Sequence, residues 1–311
     1  MDAGGRHVAT GGGPRSGIVS DLNTFAGEAL DRAGIRRLDD AWLAARRADP
    51  QTRIVIASRS GVLVDGEHPQ MLSPAELADG IETILLGVDG DGRAVFAADP
   101  GDDFPGERSG LRDLAPVVSQ AEGGMLAHAV AMLNWHRRHR FCANCGAPTQ
   151  PREAGHVRSC PNCGAEHHPR TDPVVIMLVA DGDRTMLGRQ AAWPAGRYSA
   201  LAGFVEPGES LEEAVAREVR EESGVTVTDV EYRSSQPWPF PTSLMLGFRA
   251  RWAAGEPAVR DGELEDVRWV TRDDLVSGAI LLPPREAIAR RLIDEWLGRE
   301  APGAGGKLAV S

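Results

Sequence analysis

The chain is nearly without lysine: Lys307 is the single one among 34 basic residues. Forty-five acidic residues outweigh them, for a net charge of −11. Bulk attraction to nucleic acid or to an anionic membrane is therefore excluded, and any such contact needs a local patch. Long hydrophobic runs are missing as well. The longest, Val174 to Ala180, falls far short of the roughly 20 residues that a membrane helix needs. The Gly-rich segment 1–20 lacks the apolar core of a secretory signal and reads as a flexible leader, so a cytoplasmic protein is expected. Glycine and proline (36 and 21 residues) follow no repeat, which excludes a collagen-like chain, and no internal repeat of any kind is evident. No Gly-x-Gly-x-x-Gly fingerprint follows a strand, so a dinucleotide would not be held as a Rossmann cofactor. Gly305-Gly-Lys307 lacks the earlier glycine of a Walker loop. Cysteine is scarce, with four residues, all between positions 142 and 163.

What is present fits about two globular domains in 311 residues, 42% of them hydrophobic. Short strand-like runs at Arg53–Ala57, Gly61–Val64, Thr83–Leu86 and Ala94–Ala97 place an α+β domain over residues 21–125. Asp89-Gly-Asp-Gly92 reads as a hairpin turn between the last two. A linking helix is expected over 126–140, with Leu126, Val130 and Leu133 on one side. It ends in Trp135-His-Arg-Arg-His-Arg140, a local basic patch read as a solvated helix end, with RNA contact the alternative. Residues 141–170 form the cysteine segment, 171–299 a run of strands and helices, and 300–311 a flexible tail.

Cys142-Ala-Asn-Cys145 and Cys160-Pro-Asn-Cys163 are two Cys-x-x-Cys knuckles, each followed by the glycine that a tight turn needs. In a reducing compartment four thiolates at this spacing suit a closed tetrahedral zinc site. A closed site keeps no open coordination position, so the expected role is structural.

The densest chemistry lies in residues 203–225. Ser210 with Glu213 forms a capping box and Gly224 is placed to stop a helix. Leu211, Ala214 and Val215 share a face. Continued one turn, that face carries Glu218 near its middle, with Glu221 and Glu222 about 60° and 40° to either side. Like charges at this spacing repel, and near a helix C-terminus they oppose the macrodipole. Their grouping suits a hard divalent cation such as Mg²⁺ or Mn²⁺.

Gly203, Glu209 and Arg217-Glu-Val-Arg-Glu-Glu-Ser-Gly-Val225 together resemble the Nudix box at every constrained position. The resemblance implies a metal-dependent Nudix hydrolase, an α/β/α sandwich that cleaves nucleoside-linked diphosphates. It implies metal ligation by Glu218, Glu221 and Glu222, which are also the catalytic residues. Arg217 would orient a glutamate, and Glu209 would stabilise the loop. Past the box, Ser235-Gln-Pro-Trp-Pro-Phe-Pro241 reads as a stiff extended loop carrying Trp238 and Phe240 as surfaces for a flat base. This string, the zinc ribbon and the long N-terminal part are similar to the NADH pyrophosphatase subfamily. That similarity implies cleavage of NAD(H) to NMN(H) and AMP, removal of NAD caps from RNA, and a homodimer.

The similarity also implies substrate contacts from Gln236, Pro237, Trp238, Pro239, Phe240, Pro241, Thr242 and Ser243, and from Arg112, His168, Ala202 and Ala289. His168 stands where relatives often have tyrosine. Glu263 would complete the metal site, with Glu265 as its competitor. Two alternatives stay open: a Nudix hydrolase of ADP-ribose or a dinucleoside polyphosphate, and a non-catalytic nucleotide-sensing regulator. The acidic balance predicts few phosphate contacts beyond the cap, hence a weak salt dependence on RNA.

Overall fold

The computed structural model describes residues 22–27, 30–260 and 262–299. The expected leader (1–20) and tail (300–311) lie outside the described residues. The N-terminal part begins with α1 (Asp40–Ala48), capped by the Asp39 side chain accepting from the Trp42 N–H. It continues through β1 (Arg53–Ser58), β2 (Gly61–Asp65), β3 (His68–Pro69), β4 (Met71–Leu72), β5 (Thr83–Val88), β6 (Ala94–Ala98) and β7 (Glu107–Ser109). These strands form one sheet in the order β3-β2-β1-β6-β5, with β4 added to β1 and β7 to β2. The Asp89–Gly92 turn joins β5 and β6 as an antiparallel pair, and the Gly92 N–H donates to the Asp89 carbonyl at 3.0 Å.

After a short helix α2 (Leu111–Leu114) comes α3 (Gln120–Arg138). This helix differs from the expected linker over 126–140. It starts earlier because Ser119 and Glu122 form a capping box. It also belongs to the N-terminal core: Leu126, Ala129, Leu133 and Trp135 pack with Val55, Ile84 and Ala97 of the sheet. The basic patch divides accordingly, since Trp135 and His136 are buried while Arg138 and Arg140 are exposed. The ribbon follows as a three-stranded antiparallel sheet of β8 (Gln150–Arg152), β9 (Val157–Ser159) and β10 (Glu166–His167).

The C-terminal part contains β11 (Asp172–Asp181), β12 (Arg184–Arg189), β13 (Leu201–Phe204), α4 (Leu211–Ser223), β14 (Thr226–Trp238), β15 (Ser243–Ala254), β16 (Asp266–Thr271), α5 (Arg272–Val276) and α6 (Ile288–Leu297). The sheet order is β14-β15-β11-β12-β16, with β13 on β11. Strand β11 is apolar on both faces, as a strand covered on both sides must be. Val175, Met177 and Val179 pack with Ala214, Val215 and Val219 of α4. Ile176 and Leu178 pack with Ile288, Leu292, Ile293 and Trp296 of α6. The α/β/α sandwich expected from the resemblance is thus present.

The two sheets repeat one topology, which corrects the reading that the chain has no internal repeat. In each, a central strand (β1, β11) pairs antiparallel with its successor (β2, β12) and with a short strand (β4, β13). Each central strand also runs parallel to a later one (β6, β15), whose other neighbour (β5, β14) is antiparallel. The N-terminal copy has only a 3₁₀ turn, Pro74–Glu76, where the second has α4. Connectivity constrains which positions are buried and leaves side-chain identity loose, so a repeat of topology need not show as a repeat of residues.

Candidate active site

Helix α4 places its carboxylates in three environments. Ser210 and Glu213 cap its start, and Gly224, at φ 75°, ends it in the left-handed conformation. Glu222 lies on the buried face beside Ala214, Val215 and Val219, with 4% of its surface exposed. Glu221 is exposed, and Glu218 lies between these extremes. Gly203 on β13 faces Glu218 so closely that a Cβ there would stand 1.9 Å from the Glu218 Cδ. The glycine of the box therefore leaves room for the carboxylate.

Arg217 organises the cluster with all five guanidinium N–H groups. Its Nε donates to Glu209 Oε1 at 2.5 Å, and Nη2 donates to Glu209 Oε2 at 2.9 Å and to the Phe204 carbonyl at 2.8 Å. Its Nη1 donates to Glu218 Oε1 at 2.8 Å and Glu221 Oε2 at 2.9 Å. The hydrogen bonds from Arg217 hold the Glu209 carboxyl down to about 2. Burial pushes the Glu218 carboxyl up against the pull of Arg217, and the charges of Glu221 and Glu263 add to the rise. Glu263 thus acts on this cluster through its charge. Glu265 is ion-paired to Arg189, which also donates to the Pro194 carbonyl at 2.7 Å. Hard carboxylate oxygens suit Mg²⁺ or Mn²⁺. The α4 carboxylates are not drawn to one point, however: among the described residues the set of ligand atoms gathered within 4.8 Å of one another is the four cysteine sulfurs.

A cavity of about 320 Å³ lies on the α6 side of the same sheet. Gln236, Trp238 and Ala289 line it, together with Trp193, Arg197, Tyr198, Met245 and Pro283. Of the twelve substrate-contact expectations, these first three reach it. The other lining residues carry little local signal, because Trp193, Arg197, Tyr198 and Pro283 come from two separate loops and Met245 from β15. Those loops meet where Arg197 and Leu281 form an isolated β-bridge. Ala202 packs on the apolar cluster of that side, adjacent to Gly203 facing Glu218 on the other. The sheet thus lies between the two: Ile176 of β11 lines the cavity, and its neighbour Val175 packs with α4.

The first half of the proline-aromatic string is a strand where a loop was expected, and the rest, Pro239 to Pro241, is the turn into β15. Ser235 to Trp238 pair with β15, and Pro237 is tolerated because β14 is an edge strand. Gln236 is fully buried, and its amide is fully engaged. Its Nε2 donates to the Thr24 and Glu286 carbonyls at 3.0 and 2.7 Å, and its Oε1 accepts the Ile288 N–H at 2.8 Å. It therefore caps α6, whose own N-cap residue Ala287 supplies no side-chain bond. Trp238 and Phe240 pack with Phe25 against the N-terminal core, with ring centroids 6.2 and 5.9 Å from it. The Arg112 guanidinium lies 4.3 Å from the Phe240 centroid. Pro239 and Pro241 line a second cavity with Phe240, and the Phe240–Pro241 peptide is cis. Thr242 donates from Oγ1 to Asp172 Oδ2 at 3.0 Å, and Ser243 pairs with Trp238 at the start of β15. His168 is exposed.

The ribbon repeats one turn twice. Gly146 and Gly164 donate to the Cys142 and Cys160 carbonyls, each at 2.9 Å, and both glycines have positive φ, 74° and 75°. The sulfurs of Cys142 and Cys163 are 3.6 Å apart, and those of Cys145 and Cys160 3.5 Å. A tetrahedral zinc with about 2.3 Å bonds requires sulfurs about 3.8 Å apart, so this donor set fits a structural zinc. His167 stands with Nε2 3.4 Å from the Cys142 sulfur.

Three family matches divide the chain in the same way. A rudimentary NUDIX domain of NADH pyrophosphatase type matches residues 51–135, an NADH pyrophosphatase zinc ribbon 137–167, and a NUDIX domain 169–297. A NAD-capped RNA hydrolase NudC from Mycobacterium bovis is 43% identical over 302 residues, covering 87% of this chain and 95% of the relative. The human NAD-capped RNA hydrolase NUDT12 is 35% identical, covering 88% of this chain and 73% of its own. A NUDIX hydrolase crystal structure from Nitrosomonas europaea overlaps 52% of this chain and 95% of its own, at TM-score 0.41 and 23% identity. With the carboxylate helix, the cysteine knuckles and two sheets of one topology in place, this chain belongs to the Nudix hydrolase family, in the branch that carries the NADH pyrophosphatase zinc ribbon.

Proposed function

We propose that the protein hydrolyses the pyrophosphate bond of NAD(H), giving NMN(H) and AMP, and removes NAD caps from RNA 5′ ends. The observation that carries this reading is that one sheet bears both the carboxylates of α4, with Glu218 against Gly203, and an aromatic-lined cavity sized for a base. Glu218, Glu221, Glu222 and Glu263 would hold Mg²⁺ or Mn²⁺, which supplies charge neutralisation and an activated water. Arg217 orients Glu218 and Glu221, and Glu209 anchors Arg217 in turn. Trp238 and Ala289 shape the base cavity, and Gln236 holds its wall by fixing α6. Arg112, His168, Ala202 and the rest of the Gln236–Ser243 segment belong to the same reading as substrate contacts. A homodimer in the cytoplasm completes it, on the strength of the family likeness. No helix among the described residues is long and apolar enough to cross a membrane.

The test is incubation with Mg²⁺ or Mn²⁺ and NADH, NAD-capped RNA, ADP-ribose or diadenosine polyphosphate. Release of NMN(H) and AMP from NADH, and of NMN with 5′-monophosphate RNA from capped RNA, is expected. Turnover confined to the last two substrates would overturn the assignment. Glu222→Gln should abolish product while zinc content and circular dichroism stay unchanged.

A further inference from the structure

Two open cavities adjoin along the C-terminal turn of α3, and Arg137 lines both. One, about 500 Å³, runs from the Phe240–Pro241 corner past Arg59 and Arg138. The other, about 420 Å³, continues over Arg140 and Phe141 to Arg158 of the ribbon. Their lining acids are already engaged within the protein. Asp99 pairs with Arg137 at 2.6 Å, and Glu82 faces His136 and Arg158 at 2.9 and 3.6 Å. Asp102, beside Arg59, accepts the Ser60 N–H at 3.0 Å. Arg59, Arg138 and Arg140 remain exposed, and Phe141 presents 66% of its surface to solvent. In a chain of net charge −11, a cleft lined by five arginines and two acids is a local reversal of sign.

We propose that this groove holds the single-stranded RNA that follows an NAD cap. The inference rests on the decapping reading above and gives it a path for the strand. A positive groove that tracks phosphates, with a flat ring on which a base can stack, suits unpaired RNA of any sequence. The groove begins at Phe240 and Pro241, in the segment assigned to substrate. It ends on the ribbon, so the zinc-held sheet becomes part of the binding surface. It also revises the expectation of few phosphate contacts: a −11 chain can still grip a strand through one confined patch.

The test compares the full-length, zinc-loaded protein with the triple variant Arg59→Ala/Arg138→Ala/Arg140→Ala, and with Phe141→Ala. Hydrolysis of NADH should stay within about twofold, while kcat/KM on NAD-capped RNA falls about tenfold or more at low salt. The slope of log kcat/KM against log salt should flatten by about 2, from three phosphate contacts at about 0.7 each. The corresponding triple lysine variant should keep the slope. Fluorescence anisotropy with an uncapped single-stranded RNA reads the groove without catalysis, and its affinity should fall in the alanine variants. Unchanged anisotropy and an unchanged slope would overturn the proposal, as would equal affinity for a polyglutamate peptide of matched charge. Failure to cleave NADH and capped RNA alike would sink the decapping reading instead, and the anisotropy would still decide whether the groove binds RNA.

Discussion

Gly203 and Glu218 occupy one space: a Cβ on residue 203 would meet the Glu218 carboxyl group at 1.9 to 2.1 Å. The obstacle is the far end of a flexible side chain, so the fold can yield where the carboxylate cannot stay. Gly203→Ala should lower stability by no more than about 1 kcal/mol, because one side-chain end moves and the backbone does not. It should lower kcat by about 100-fold, because a misplaced catalytic group costs that much. Thermal unfolding and kcat measured on one preparation check this. A parallel loss of both would show that residue 203 serves the sheet and not the carboxylate.

Gln236 separates a framework role from a substrate role. Its amide satisfies three backbone groups around the start of α6. Gln236→Leu orphans them in a buried place, at a cost of about 2–4 kcal/mol. The expected result is a lower Tm with KM and kcat little changed at temperatures where the variant is folded. A raised KM without loss of Tm would assign the amide to substrate.

Glu263 and Glu265 are two residues apart yet differently placed. The charge of Glu263 acts on Glu218, whereas Glu265 is held by Arg189. Glu263→Gln should cut kcat and raise the Mg²⁺ or Mn²⁺ concentration needed for half-maximal rate. Glu265→Gln should leave the metal titration in place. The reverse pattern would move the metal site to Glu265.

Two histidines set an acid limit on the N-terminal half. Burial, the largest cause, pushes His128 down to about 3 and His156 down to about 4, and the charges of Arg32 and Arg37 act in the same direction. In the unfolded chain both titrate near 6.5, so the unfolded state takes up protons first as pH falls. Their contribution to stability is complete above about pH 6.5 and declines as the pH falls towards 4 and then 3. The decline is at most about 1.4 kcal/mol per histidine for each pH unit crossed. Chemical denaturation at pH 7, 5 and 4 should show it, and His128→Leu should reduce it. A pH-independent stability over that window would contradict the buried neutral form.

Local order was legible in the residues. The capping box at Ser210 and Glu213, the stop at Gly224 and the two knuckles with their glycines all act within a few positions. Chain-distant relations were not. The string 235–241 looked like a loop because its prolines argue against a strand. Only the edge position of β14 makes Pro237 compatible with pairing. Residues 126–140 looked like a linker, because helical periodicity shows a buried face without saying what covers it. The covering surface is the β1–β6–β5 side of the first sheet.

By itself, the sequence determined the chemistry that can be assembled here: four thiolates at knuckle spacing, and a helix bearing carboxylates one turn apart, because both patterns follow from backbone geometry over a few residues. The tertiary structure decided where that chemistry faces. Sheet register put Gly203 against Glu218, set Gln236 at the start of a helix 52 residues away, and joined the loops around the cavity. It also gathered arginines from the first sheet, α3 and the ribbon into one groove on an acidic protein. Those placements depend on which strands pair and which faces are buried together, and no local spacing encodes that.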